Sequence, residues 1–394
     1  MDAHARSRPT HEPRHSGIDD AGSLSFECFD LNDPLPHPVF SWLEQHAPDR
    51  VFLTPDWFAQ LHAFQEQIAP SLPSSSRFWM MISHQGTMLV AAPMERFKGR
   101  LGFTELGLFT NYYSPLIELT IDSARITRAD AWALLVRALD QVAPSWLALK
   151  VTPLRQAQQA TLELGLGGRY ATFAQEVSAN HTVELPDLAL YWKSRSSRLN
   201  TTLKRKGKSL AKADHRFELL QTPSATQIAD YWEIYRHSWK IQEPTPRFIN
   251  WLMAWGADNG HLRLGLLYVD GAVVACQLWL MNRRVGHIFK LAQNQAADQY
   301  SPGSLLTEFM INSLVAQDGM TKIDFLLGDD GFKPTWMDSR EPIYWVEVVN
   351  SRRLLGKLLV AYYAVRERLR KLKKPVAEQT ADAAEAVPAE APAK

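Results

Sequence analysis

The chain is 394 residues long and 46% apolar, with 43 Lys and Arg against 42 Asp and Glu. That length suits two cores better than one, and a net charge of +1 gives no overall attraction to nucleic acid. Cys28 and Cys276 lie far apart in apolar surroundings, which argues against a disulfide framework or a cysteine zinc site and for buried free thiols in a reducing cytoplasm.

Residues 1–22 are polar and lack an apolar h-region, so they read as a disordered tail without a secretory signal. Thr54 then precedes Pro55 at the head of "PDWFAQLHAFQEQI", a capping residue before a proline at the first helical position. "RFWMMIS" and "TMLVAAPMERF" read as strands around a turn at Gln85-Gly86. "FTELGLFT" is a further strand, followed by "NYYSPLIEL"; a helical pattern runs from about Arg128 to Gln141 and "WLALKVT" returns to strand.

The same order recurs further on. "IADYWEIYRHSWK" and "PRFINWLMAWGADNG" are helical, with Trp232, Tyr235 and Trp239 on one face. "LRLGLLYV" and "AVVACQLWLMN" flank Asp270-Gly271, a hairpin turn. "VGHIFKLAQ" is a strand, "SPGSLLTEFMINSLVAQDG" a helix closed by Gly319, and "KIDFLLG" a strand; "YYSP" at 112–115 echoes "YSPG" at 300–303. Helix, hairpin, strand, helix, strand, met twice, predicts an α+β protein of two like domains, joined near Arg169 to Leu190. The expected division is 23–180 and 181–350, then a basic helix over 351–374, then an Ala/Glu/Pro tail over 375–394 with nothing to bury. No apolar run reaches the roughly 20 residues that cross a bilayer. In the basic helix, Leu354, Leu355, Leu358, Leu359, Tyr362, Val365, Leu369 and Leu372 trace one face. It is expected to dock on the second domain, lie on an anionic membrane surface or bind a partner.

Ser301-Pro302-Gly303-Ser304 opens a helix directly after a strand. Backbone N–H groups of Gly303, Ser304 and Leu305 there would favour an anion, with Ser301 or Ser304 adding a hydroxyl; the bland alternative is an ordinary start capped by Ser301. "IDFLLGDDGFKPTW" holds Asp324 inside a strand, where it acts as a general base or pairs with a basic side chain, and Asp329 and Lys333 in the loop beyond. "GDDG" is a weak metal signal and no metal is expected. Nine basic residues lie between Lys193 and Arg216, among them Arg195, Arg198 and Lys204, without the interleaved aromatics that stack on bases. The commonest outcome for such a run is a solvated helix face. His181, His237, His261 and His287 show no ligand spacing, "LGLGG" at 164–168 opens no helix, and the Trp232, Trp239, Trp251 and Trp255 group reads as packing.

From Tyr191 to Trp336, the succession "YWKSRSSRLNTTLKRKGKSL", "DGAVVACQL", "QYSPGSLL" and "IDFLLGDDGFKPTW" resembles the GNAT acyltransferase superfamily. It is most similar to the CelD-like branch of cellulose and exopolysaccharide gene clusters, itself akin to the FemAB peptidyltransferases. The first half resembles the degenerate partner of such tandem proteins. The resemblance implies tandem GNAT-like domains, each a twisted mixed sheet flanked by helices, and acetyl-CoA as the acyl donor. Lys290, Leu291, Ala292 and Gln293 would line the pantetheine, and Ser301, Gly303, Ser304 and Leu305 the pyrophosphate. Asp324, Asp329 and Lys333 would carry catalysis. Arg198 and Lys204 would hold anionic groups of donor or acceptor, and Trp239 and Trp336 would meet a sugar, sugar nucleotide or other envelope-related acceptor. Two departures stand out: Gly303 is alone where the family has a glycine-rich loop, and Phe332 replaces a frequent Tyr. They keep in view FemAB-like transfer from charged tRNA and a non-catalytic scaffold of a polysaccharide synthesis complex. The implied location is cytoplasmic, with peripheral inner-membrane association through 351–374.

Overall fold

A computed structural model describes residues 15–18, 24–68, 75–99, 102–238 and 242–373. β1 (His15–Ile18) pairs antiparallel with β2 (Leu24–Asp30), so an edge strand falls inside the segment expected to be disordered. Its "HSGI" holds by main-chain pairing, which leaves no apolar alternation to read. After α1 (His37–His46), α2 (Pro55–Ala63) starts as expected, with Thr54 Oγ1 accepting the Trp57 N–H at 3.2 Å. A short α3 (Gln65–Ile68) follows. β3 (Ser76–His84) and β4 (Thr87–Lys98) close through Gln85 and Gly86, both at positive φ, the backbone that matches strand twist in a two-residue hairpin. β5 (Thr104–Leu108), β6 (Thr120–Ile121), α4 (Arg128–Val142) and β7 (Ala148–Arg155) complete the first pattern. Tyr112–Pro115 precede β6, whereas Ser301 and Pro302 begin a helix, so the echo between "YYSP" and "YSPG" is not one of position.

The join expected between Arg169 and Leu190 is not a linker. α5 (Gln156–Leu166) leads into β8 (Ala171–Glu184), a strand of 14 residues. The second half continues with α6 (Leu188–Ser194), α7 (Ser197–Leu210), β9 (His215–Leu220), α8 (Ala225–Arg236) and α9 (Pro246–Asp258). β10 (Leu262–Val269) and β11 (Ala272–Asn282) form the hairpin at Asp270-Gly271, followed by β12 (Val285–Gln293), α10 (Pro302–Asp318) and β13 (Lys322–Leu327). β14 (Ser339–Val349) and α11 (Leu354–Lys373) end the described chain.

All strands form one mixed sheet, in the order β1-β2-β3-β4-β5-β7-β14-β8-β13-β12-β11-β10-β9, with β6 beside β4. From the β14/β8 pair outward, the two sides read alike. Each half lends its last strand to the other: β14 pairs with β7 of the first half, and β8 pairs with β13 of the second. Helices flank this sheet, giving the expected α+β class with two like halves.

One core runs under both halves and includes Trp57, Phe58, Trp79, Trp132, Tyr231 and Phe248. A second, on the other face of the second half, holds Tyr191, Leu203, Trp279, Leu306, Met310 and Trp336. Each buried aromatic removes roughly 150–250 Å² from water, so these rings dominate the packing. Gly265 of β10 admits α10: a Cβ there would stand 2.5 Å from Met310 Sδ. No helix among the described residues is long and apolar enough to cross a membrane.

Candidate active site

β12 and β13 run parallel but pair only from Val285–His287 to Lys322–Asp324. Past that point β13 is bent away. Asp324 Oδ1 accepts the Leu326 N–H at 2.8 Å, Leu326 takes φ 55°, and the register with β8 shifts between Asp324 and Leu327. β12 instead stays on β11 out to Gln293 opposite Ala275. The strands part, and a cleft of about 1100 Å³ opens between them, lined by residues 288–291 and Gln293, by 325–328 and by the start of α10. An unpaired strand edge offers main-chain donors and acceptors to an extended ligand.

At the head of α10 the expectation of open amides is corrected. Pro302 has no N–H. The Gly303 N–H donates to Gln293 Oε1 at 2.9 Å, and the Ser304 and Leu305 amides both donate to the Ser301 carbonyl, at 3.1 and 3.2 Å. Ser301 sits in the left-handed region at φ 51°, which turns that carbonyl onto the helix, and its hydroxyl makes no capping bond. A side chain at Gly303 would meet Gln293 Oε1 at 2.4 Å, so the close approach that the glycine permits is made by Gln293 itself. Gln293 is held in turn by Asp298, whose Oδ1 accepts from Nε2 at 2.6 Å. The cleft still reaches this start: Gln293, Asp298, Ser301, Gly303 and Ser304 all line it.

The expected site residues divide by the face they occupy. Lys290, Leu291, Gln293, Ser301, Gly303, Ser304 and Lys333 line the cleft. Ala292 and Leu305 are buried among core side chains, Ala292 in the core that runs under both halves and Leu305 in the second, on the inward face of α10. Asp324 is also buried away from the cleft, its Oδ2 taken by Arg155 Nη2 and Asn180 Nδ2, both at 3.2 Å. It pins the bend in β13 and ties that strand to the first half, the pairing alternative rather than the base. Asp329 turns outward to His181 Nε2 (2.8 Å) and to the Arg340 guanidinium, whose hydrogen bonds hold its carboxyl down to about 2. Asp330 faces the cleft instead, so "GDDG" does not converge on one point. Among the described residues no three His, Cys, Asp or Glu side chains stand together as a metal site.

Lys333 is buried, with Nζ donating to the carbonyls of Phe325 (3.1 Å) and Leu327 (2.8 Å). Its ammonium stabilises the end of β13 that has parted from β12, the cleft wall. Trp336 is wholly buried in the second core, with Tyr191 donating to its carbonyl at 3.2 Å, and is no acceptor platform. Arg198 and Lys204 stand exposed on α7 and do not line the cleft, since Leu199, Leu203 and Leu210 occupy the inward face of that helix. Trp239 lies outside the described residues.

A group that the residue patterns did not single out lies at the cleft wall. Glu243, in the loop before α9, is buried; its Oε2 is 2.8 Å from Lys290 Nζ, and its Oε1 accepts the Tyr113 hydroxyl. Tyr113 belongs to the first half and stacks on Phe248 at 4.2 Å. The Lys290 Nζ also lies 5.0 Å from the Tyr112 ring. Burial, then Glu243, raises the Tyr113 and Tyr235 phenols well above their ordinary range, so both stay protonated near neutrality. Tyr113, Tyr235 and Lys290 face the cleft. Glu243 carries no sequence signal, since its partners lie 130 and 47 positions away along the chain.

The corresponding place in the first half is different. α4 begins with a capping box in which Asp130 accepts the Thr127 N–H (3.2 Å) and hydroxyl (2.6 Å) while its own N–H donates to Thr127 Oγ1. A carboxylate in the first helical turn repels an anion.

Residues 197–334 match the protein family described as "Acetyltransferase (GNAT) domain". This part of the chain is similar to GNAT-type acetyltransferase domains. The parted strands and α10 both fall within it, and an acyltransferase is the enzyme class it supports. No curated protein matches the chain in sequence. The crystal structure of FemX superimposes with TM-score 0.55 at 11% identity, over 82% of this chain and 98% of that one. A conserved protein of unknown function from Bacteroides thetaiotaomicron VPI-5482 superimposes with TM-score 0.51 at 12% identity, over 79% and 95%. At such identities the likeness is one of fold, and it extends beyond the GNAT domain into the first half.

Proposed function

We propose that the GNAT domain transfers an acyl group, acetyl in the first instance, from a CoA thioester to an amine or hydroxyl of a small or saccharide acceptor of the envelope-polysaccharide class. The observation that carries this reading is the parting of β12 from β13 into a cleft that ends at the start of α10. The pantetheine arm, with its two amides, suits the unpaired edge of residues 288–291. The diphosphate would reach Gly303 once the Gln293 carboxamide swings aside, and the α10 dipole favours it there.

The acceptor nitrogen or oxygen attacks the acyl carbon and the carbon–sulfur bond breaks. The acceptor proton passes to the Tyr113 oxygen as the phenol proton moves to Glu243. The leaving thiolate takes a proton from the Lys290 ammonium, and the 2.8 Å contact returns one from Glu243 to Lys290. In this reading the unit 181–350 holds the donor, and the unit 23–180 supplies Tyr113. Cys28 and Cys276, both buried free thiols, with burial pushing Cys28 up to about 12, fit a reducing cytoplasm.

Isothermal titration with CoA tests the donor. Saturable heat is expected, and the absence of both heat and a thermal shift at millimolar CoA would overturn the proposal. A second reading, aminoacyl transfer from charged tRNA, draws on the closed state of the α10 start and on the exposed basic face of α7, where Arg198, Lys204 and Arg205 stand. It predicts activity that ribonuclease abolishes.

A further inference from the structure

α11 docks by one side only. Gly356 is buried so tightly that a Cβ would stand 1.9 Å from the Asn350 carbonyl oxygen. The Tyr363 hydroxyl donates to Glu347 Oε2 at 2.8 Å, and its ring lies 4.7 Å from Phe173 of β8. These contacts fix the rotation of the helix. On the other side Leu354, Leu358, Tyr362 and Val365 follow one another at four- and three-residue steps and are 76%, 60%, 59% and 56% exposed, with Leu355 beside them at 44%. Lys357, Arg366 and Arg368 are exposed on the same helix. Over 351–374 nine Lys and Arg (352, 353, 357, 366, 368, 370, 371, 373, 374) face a single acid, Glu367.

We propose that α11 rests in the headgroup–acyl boundary of a membrane rich in anionic lipid, its leucine and tyrosine stripe immersed and its basic residues against the lipid phosphates. The stripe faces away from the body, so the acyl boundary can take it without unfolding anything, and the cation excess complements an anionic surface. A second copy of the helix fits poorly, because pairing stripe to stripe brings two strongly basic segments together. The chain's own tail fits poorly too. Residues 375–394 offer no apolar side chain larger than Val376, Pro or Val387 to cover leucines and a tyrosine. This inference is independent of the acyl donor.

Co-sedimentation of the full chain with phosphatidylglycerol–phosphatidylcholine vesicles, against phosphatidylcholine alone, tests it. Binding to the anionic vesicles is expected to be at least about tenfold tighter, and to weaken by about tenfold in roughly 0.5 M salt. The variant Leu358→Asp with Tyr362→Asp changes two exposed side chains. It should keep its melting temperature and lose at least about tenfold in vesicle binding. A wild-type chain that stays in the supernatant with anionic vesicles overturns the proposal, as does a double variant that sediments like wild type. A dimer in sedimentation velocity that this variant dissolves, without vesicle binding, assigns the stripe to a second copy and equally overturns it.

Discussion

Gln293 occupies the place that an anion would take at the head of α10. Its carboxamide oxygen accepts the Gly303 N–H, and its Nε2 is tied to Asp298. Gln293→Ala removes the occupant. CoA affinity should rise by about three- to tenfold, because no hydrogen bond of roughly 1 kcal/mol must first be broken. Titration calorimetry on the variant checks this, and unchanged or weaker affinity would place the diphosphate elsewhere. Lys333 makes a different prediction. Its ammonium serves carbonyls at the end of β13 that has left β12, so Lys333→Met leaves buried acceptors unpaired and should cost about 3 kcal/mol, read from the urea midpoint. Asp329 makes part of the stability depend on pH. Its folded-state value lies below that of an unfolded aspartate, so the stabilisation from Arg340 and His181 is complete above about pH 4 and is lost as pH falls through about 2. A carboxyl carbon resonance of Asp329 titrating near 2 is the expected signature, and one titrating near 4 would refute it.

Elements with local causes were legible in the residues alone. Thr54-Pro55, Gln85-Gly86, Asp270-Gly271 and Gly319 mark helix ends and hairpin turns through capping or positive φ, and the structure places each there. β8 and β14 were not legible. β8 leaves residues 174–177 exposed and β14 opens on "SREP", so neither alternates cleanly, and what makes them strands is pairing with partners far along the chain. The cleft divides the same way. The segments that would form it could be read, but which residues turn into it depends on the bend at Leu326, and Glu243 meets Tyr113 only through the tertiary fold. Gly265 tests how firmly α10 is seated. Gly265→Val drives a side chain into Met310 and should cost about 1–3 kcal/mol while displacing the helix start that borders the cleft. Thermal melting measures the cost, and a melt like wild type would show that α10 has room to spare.

At the scale of the whole molecule, the two halves share their central strands. β14 lies between β7 and β8, and β8 lies between β14 and β13, with an unbroken run of partners from Ser339 opposite Thr182 to Val349 opposite Ala171 apart from one register shift. One half cannot open without stripping main-chain partners from the other, so heat should give a single transition whether followed by far-ultraviolet circular dichroism or tryptophan fluorescence. Two separated transitions would contradict it.

A gene divided after Leu185 makes the same point as a matter of assembly. Each product would keep a strand meant for its counterpart and lack the one its own sheet needs, so each alone would present a raw edge and clump. Co-produced, the two pieces could knit into a nicked but native particle, much as interlaced fingers close from either hand.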